Sequence, residues 1–208
     1  KLLFVIMILW GSLIQAEVVN YETEGNLKSY HDIGCTGLDG LTNQYTPADI
    51  LLGMRQCLID GEYEKAAGMR LVASVYGKFD KLRVEEKTAH QALQMLEYNY
   101  FSQLDPKILE AYSEYGKNVT NLGSINCPTL YRIGKPDYHP IYMIAHGLTM
   151  FYDEPSADGL VAGFDGDKTW QDLLDNYAKC GTASNQNTSD DETVNDSSAD
   201  ASNELTKQ

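Results

Sequence analysis

Basic residues are scarce in this sequence: 16 Lys and Arg stand against 30 Asp and Glu, a formal charge of −14 over 208 residues. A nucleic-acid grip needs basic surface to displace the counterions of a phosphate backbone. Neither a basic run nor an interleaved basic and aromatic stripe is present, so no nucleic-acid partner is expected. Histidines number only 4, and the chain contains no HExxH segment, serine-centred nucleophile elbow, phosphate-binding glycine loop or reactive-cysteine context. No cofactor and no metal site is expected. Beyond Ile14 no stretch has the about 20 apolar residues that a membrane span requires.

With 43% hydrophobic and 10% aromatic residues, the chain has the means to build a core, and its length suits one domain. Lys1 is followed by an apolar run from Leu2 to Ile14, broken only by Gly11 and Ser12, and then by Gln15 and Ala16. A charged start, a short apolar stretch and a small residue form the pattern of a secretory signal, so residues 1–16 are expected to be cleaved off. From Gly181 onward the composition shifts: aromatics vanish, and Asp190, Asp191, Glu192, Asp196, Asp200 and Glu204 face Lys207 alone. Such a segment buries too little apolar surface to offset chain entropy, so 181–208 is expected to be a disordered acidic tail. Residues 17–180 remain as a single domain in the periplasm or outside the cell.

Cys35, Cys57, Cys127 and Cys180 all fall in that domain, none in a CxxC pair and none near a histidine at metal-ligand spacing. Export and an even count point to two disulfides. Three pairings are open; Cys35 with Cys57 and Cys127 with Cys180 is favoured, since each bond would tie an irregular segment to a neighbouring helix.

The periodicity predicts an all-α domain of about six helices stacked as antiparallel pairs. Residues 17–45 read as an irregular lead-in. Thr46, Pro47 and Asp49 read as a capping-box start for a first helix that ends at Asp60-Gly61. A second helix is expected over 62–79, a third over 84–104 and a fourth from Asp105-Pro106 to Tyr115. Gly123, Cys127-Pro128 and Gly134-Lys135-Pro136 mark 117–136 as a long connection. A fifth helix is expected from Asp137 to Phe151, and a last one, capped by Asp167 or Thr169, carries Trp170, Leu173, Leu174 and Tyr177.

Asp60-Gly61-Glu62-Tyr63-Glu64-Lys65-Ala66-Ala67 resembles the turn and second-helix opening of tetratricopeptide-type repeats, which implies stacked helix pairs; no second copy follows one repeat length on. The stretches 79–92 and 136–147 are similar to bacterial exported proteins, a resemblance that implies no site. His31-Asp32-Ile33-Gly34 resembles the metal-binding signature of HD phosphohydrolases, but the further ligands such a site takes from successive helices are not supplied. Asp165-Gly166-Asp167-Lys168-Thr169 resembles the phosphotransfer loop of haloacid dehalogenase-like enzymes and the start of a calcium loop. The former needs an α/β domain after it, and the latter a Glu where Asn176 stands, so a helix cap accounts for these residues.

Two function classes compete. An exported hydrolase acting on a cell-wall or glycan substrate would draw on His90, His139 and His146, with Glu97 or Asp137 as carboxylate partner. His139 and His146 are expected on one helix, two turns or about 10 Å apart, too far for one metal. The favoured class is a non-catalytic protein that binds another protein, as an inhibitor or immunity protein binds its toxin or enzyme, or as an adaptor joins an envelope assembly. The sequence holds 14 tyrosines, of which Tyr98, Tyr100, Tyr112 and Tyr115 crowd one helical pair and Tyr138 and Tyr142 the next. Tyrosine is a low-entropy, amphipathic contact residue, and an acidic surface lined with it suits a basic partner protein.

Overall fold

The computed structural model describes residues 23–118, 122–151 and 158–181. The expected signal and, apart from Gly181, the expected tail lie outside the described residues. The described chain is all-α, with seven α-helices and no strand: α1 (Pro47–Ile59), α2 (Tyr63–Arg83), α3 (Ala92–Phe101), α4 (Pro106–Asn118), α5 (Leu122–Ile133), α6 (Ile141–Ile144) and α7 (Gly166–Asn176).

Helix α1 starts as its sequence dictates. The Asp49 amide donates to Thr46 Oγ1 at 3.3 Å and the Asp49 carboxylate accepts from the Thr46 amide at 2.8 Å, so two otherwise orphaned donors are satisfied reciprocally. At the other end Gly61 turns the chain with φ +75°, a region that side chains with a Cβ avoid, and α2 begins two residues later. The short link sets α1 and α2 side by side as the most extensively packed pair of the fold. Helix α2 is the central element. Ala66, Met69, Val72, Ala73, Val75, Tyr76 and Phe79 are all buried, covering most of its circumference. Close packing favours glycine at two points of this helix: a Cβ on Gly68 would lie 2.9 Å from Leu38 Cγ and one on Gly77 2.7 Å from Leu93 Cδ2, so either leucine would have to shift.

The favoured cysteine pairing is the one present. Cys35 bonds Cys57 of α1 with Cα atoms 4.6 Å apart, and Cys127 of α5 bonds Cys180 beyond α7 at 5.5 Å. In the loop-entropy account, closing these loops stabilises the fold by about 3 and about 4 kcal/mol.

Four expected elements differ. Helix α2 runs on to Arg83, and the expected third helix is broken: Val84 is extended and bridges Leu160, a 3₁₀ turn covers Thr88–Gln91, and α3 spans only ten residues. Asp80 and Arg83 pair with each other inside the protein, which lets the apolar helix continue through two charged residues. The expected connection 117–136 holds α5 instead. An interior proline costs roughly 3 kcal/mol, but Cys127, Leu130 and Ile133 are buried at helical spacing, each apolar side chain contributing roughly 1.5–3 kcal/mol. Arg132 adds bonds to the carbonyls of Leu41 and Leu38 at 3.2 and 2.7 Å. Finally, the expected fifth helix shrinks to the single turn α6 with a 3₁₀ turn at Leu148–Phe151, so His139 precedes the helix and His146 follows it.

Candidate protein-binding face

Among the described residues two carboxylates are fully buried, Asp49 and Asp80, and both serve the fold. Asp80 Oδ2 accepts from the hydroxyls of Tyr138 at 2.9 Å and Tyr142 at 2.7 Å, while Oδ1 faces Arg83 Nε at 2.8 Å and Nη2 at 2.7 Å. The Nη2 contact is a charge contact without hydrogen-bond alignment. The guanidinium also lies over the rings of Phe79 and Tyr138, 5.2 and 5.0 Å from their centroids. Burial raises the pKa of Asp80 against the opposing pull of Arg83 and the two hydroxyls, and it raises Tyr138 and Tyr142 well above the usual phenol value. Asp49 Oδ1 receives the backbone amides of Tyr30 at 2.7 Å and His31 at 2.8 Å and the hydroxyl of Ser29 at 2.9 Å, pinning the lead-in to the start of α1. Burial alone would raise its pKa, but these donors and Thr46 outweigh it and hold it below 3.8.

The histidines are dispersed into structural contacts. His90 Nε2 lies 2.9 Å from the Val84 carbonyl, and His146 Nδ1 lies 2.9 Å from Asn26 Oδ1. Burial lowers the pKa of His146. His139 is exposed on the loop before α6. His31 sits 3.3 Å from Asp49 Oδ2, while Asp32 turns back to accept the Gly34 amide at 3.3 Å. Among the described residues no group of three His, Cys, Asp or Glu is placed to hold a metal ion. The cap of α7 is Asp165, which accepts from the Lys168 amide at 3.0 Å, and not Asp167 or Thr169; Asp167 pairs with Lys135.

The tyrosines divide. Tyr142 is wholly buried and Tyr138 half-buried, both committed to Asp80. Tyr100 is half-buried, and its carbonyl accepts from Arg55 Nε at 3.1 Å. Tyr112 and Tyr115, one turn apart on α4, meet a tyrosine outside the expected contact set: Tyr63, first residue of α2, whose ring centroid is 6.3 Å from each. All three are half-buried. Arg70, farther along α2, reaches Glu97 of α3 at 3.4 Å, and burial raises the pKa of Tyr112 against the opposing pull of the Arg70 charge. Tyr115 is raised by burial and then by the charge of Glu64 beside it. Tyr98 stands 65% exposed on α3, next in sequence to Glu97.

Helix α4 has no fully buried residue; Ile108, Leu109 and Tyr112 pack against the core while Glu110 and Glu114 are exposed. The resulting face combines rigid aromatic rings with carboxylates, a composition suited to holding a basic protein surface. On another side, Lys78, Leu82, Phe164 and Tyr177 line an open groove of about 630 Å³ between α2 and α7. Comparison with protein-family models, curated proteins and solved structures finds no match.

Proposed function

We propose that this is an exported, non-catalytic protein that binds a basic protein in the cell envelope, in the manner of an inhibitor or immunity protein that blocks a toxin or enzyme. The supporting observation is the meeting of Tyr63, Tyr112 and Tyr115 at a half-exposed acidic corner of a strongly acidic chain. Low-entropy aromatic anchors supply contact area, and the charge steers a basic partner towards them. Two disulfides fit an oxidising compartment, and no helix among the described residues is long and apolar enough to cross a membrane. The engagement of His90 and His146 with Val84 and Asn26 leaves the hydrolase reading less support.

The test is capture from the producing organism's envelope fraction with the tagged, oxidised full chain. One basic exported protein, retained at equal stoichiometry and released progressively by salt, is the expected result. Capture of acidic proteins alone, without salt dependence, overturns it. So does a hydrolytic activity that disappears when His90, His139 and His146 are replaced together by alanine.

A further inference from the structure

Deepening the protein-binding reading, on which it rests, we infer that the corner formed by Tyr63, Tyr115 and Glu64 receives one arginine side chain of the basic partner. The rings of Tyr63 and Tyr115 lie with centroids 6.3 Å apart and planes inclined by 42°, a tilted pair that packs ring against ring and leaves the outer ring faces available instead of stacking them face to face. Both are half-buried, which holds them in place while leaving ring surface to solvent. Tyr112 adds a third half-buried ring, its centroid 6.3 Å from that of Tyr63.

Carboxylates complete the corner. Glu64 follows Tyr63 directly on α2 and lies close enough to Tyr115 to affect its ionisation. The neighbouring Glu62 and Glu114 are neutralised by Lys65 at 3.4 Å and Lys117 at 3.1 Å. Among the described residues no ion pair involves Glu64. A flat guanidinium matches this arrangement. It stacks on tyrosine faces and offers a fork of donors to a carboxylate, whereas an ammonium is a compact, strongly hydrated point charge. Arginine is also among the residues enriched where proteins hold each other most tightly.

The test uses the oxidised full chain with ring-labelled tyrosine, titrated with capped triarginine and, as controls, capped trilysine and triglutamate, followed by nuclear magnetic resonance. Triarginine should shift the rings of Tyr63 and Tyr115 and leave the exposed Tyr30 and Tyr177 in place, with trilysine weaker and triglutamate inert. Tyr115→Leu and Glu64→Gln should each weaken triarginine binding about three- to tenfold, in line with a partly desolvated cation on an aromatic face. Tyr115→Phe keeps the ring and should retain binding. Equal shifts at Tyr30 and Tyr177, or triarginine binding untouched by Y115L and E64Q, overturn the inference. The two levels separate in the capture experiment: a basic partner still held at full strength by the folded E64Q/Y115L protein removes this corner but leaves the binding reading standing. Specific triarginine shifts with no basic partner captured leave the corner's chemistry standing and remove the reading.

Discussion

Removing the carboxylate of Asp80 strands the Arg83 guanidinium, whose side chain is only 10% exposed, without its counter-charge and deprives Tyr138 and Tyr142 of their acceptor. Breaking a buried pair from one side costs about 3–5 kcal/mol, because the surviving charge stays in a poor solvent for it. Asp80→Asn should therefore lower the unfolding free energy from urea titration by an amount of that order, with a lower midpoint. Replacing the whole set together, D80L with R83M, Y138F and Y142F, should recover most of the loss, since an apolar core of similar volume has no charge to desolvate. An unchanged midpoint for D80N alone would contradict the assigned role. Asp49 predicts the acid limb. Its folded pKa lies below the ordinary 3.8, so its contribution is complete above that value and is lost as pH falls through the folded one. Thermal denaturation followed from neutral pH downward should show a steep fall below pH 3.8 that Asp49→Asn flattens. Of these two residues, Asp49 is legible in the sequence, because a Thr-Pro-x-Asp start is a local capping pattern. The partners of Asp80 are not, since Tyr138 and Tyr142 lie 58 and 62 residues away. The available hint was the position of Asp80 one turn beyond the apolar Tyr76.

At the scale of elements, helices whose ends carry local chemistry are found where their sequences place them, while those decided by distant packing are not. Thr46 and Asp105-Pro106 announce α1 and α4. Helix α5 defies its own glycine and proline, because its structure is held by Leu130, Ile133, the bonds of Arg132 and the cysteine link to the segment after α7. That dependence is measurable. Cys127→Ala with Cys180→Ala should cost about 4 kcal/mol in the loop-entropy account, and amide exchange should then speed up in α5 and α7 before it does in α1 and α2. Uniform loss of protection across all four helices would show that α5 has no separate dependence on the bond. The shortening of the fifth helix has the opposite origin: the Tyr138 and Tyr142 hydroxyls converge on one carboxylate, and Pro140 between them interrupts the chain before α6.

For the molecule as a whole, helical periodicity announced the class and the even cysteine count the stapling, but neither told which tyrosines would share a surface. Tyr112 and Tyr115 are neighbours by helical spacing, whereas Tyr63 joins them only through the packing of α4 on α2. Tyr142 goes to the interior because a buried carboxylate needs its hydroxyl. The net charge of −14 acts at this largest scale. It gives any basic partner a long-range pull that salt weakens, with a screening length of about 8 Å at physiological ionic strength.

The order of the cysteines along the chain has a consequence for how the molecule is made. Each half-cystine is joined to the next one in sequence, Cys35 to Cys57 and then Cys127 to Cys180, so the two rings follow one another without overlapping. A chain delivered amino end first to an oxidant would close its first ring while the second pair was still arriving. Joining thiols in order of arrival would yield the native bonds directly, with no reshuffling of a wrong pair.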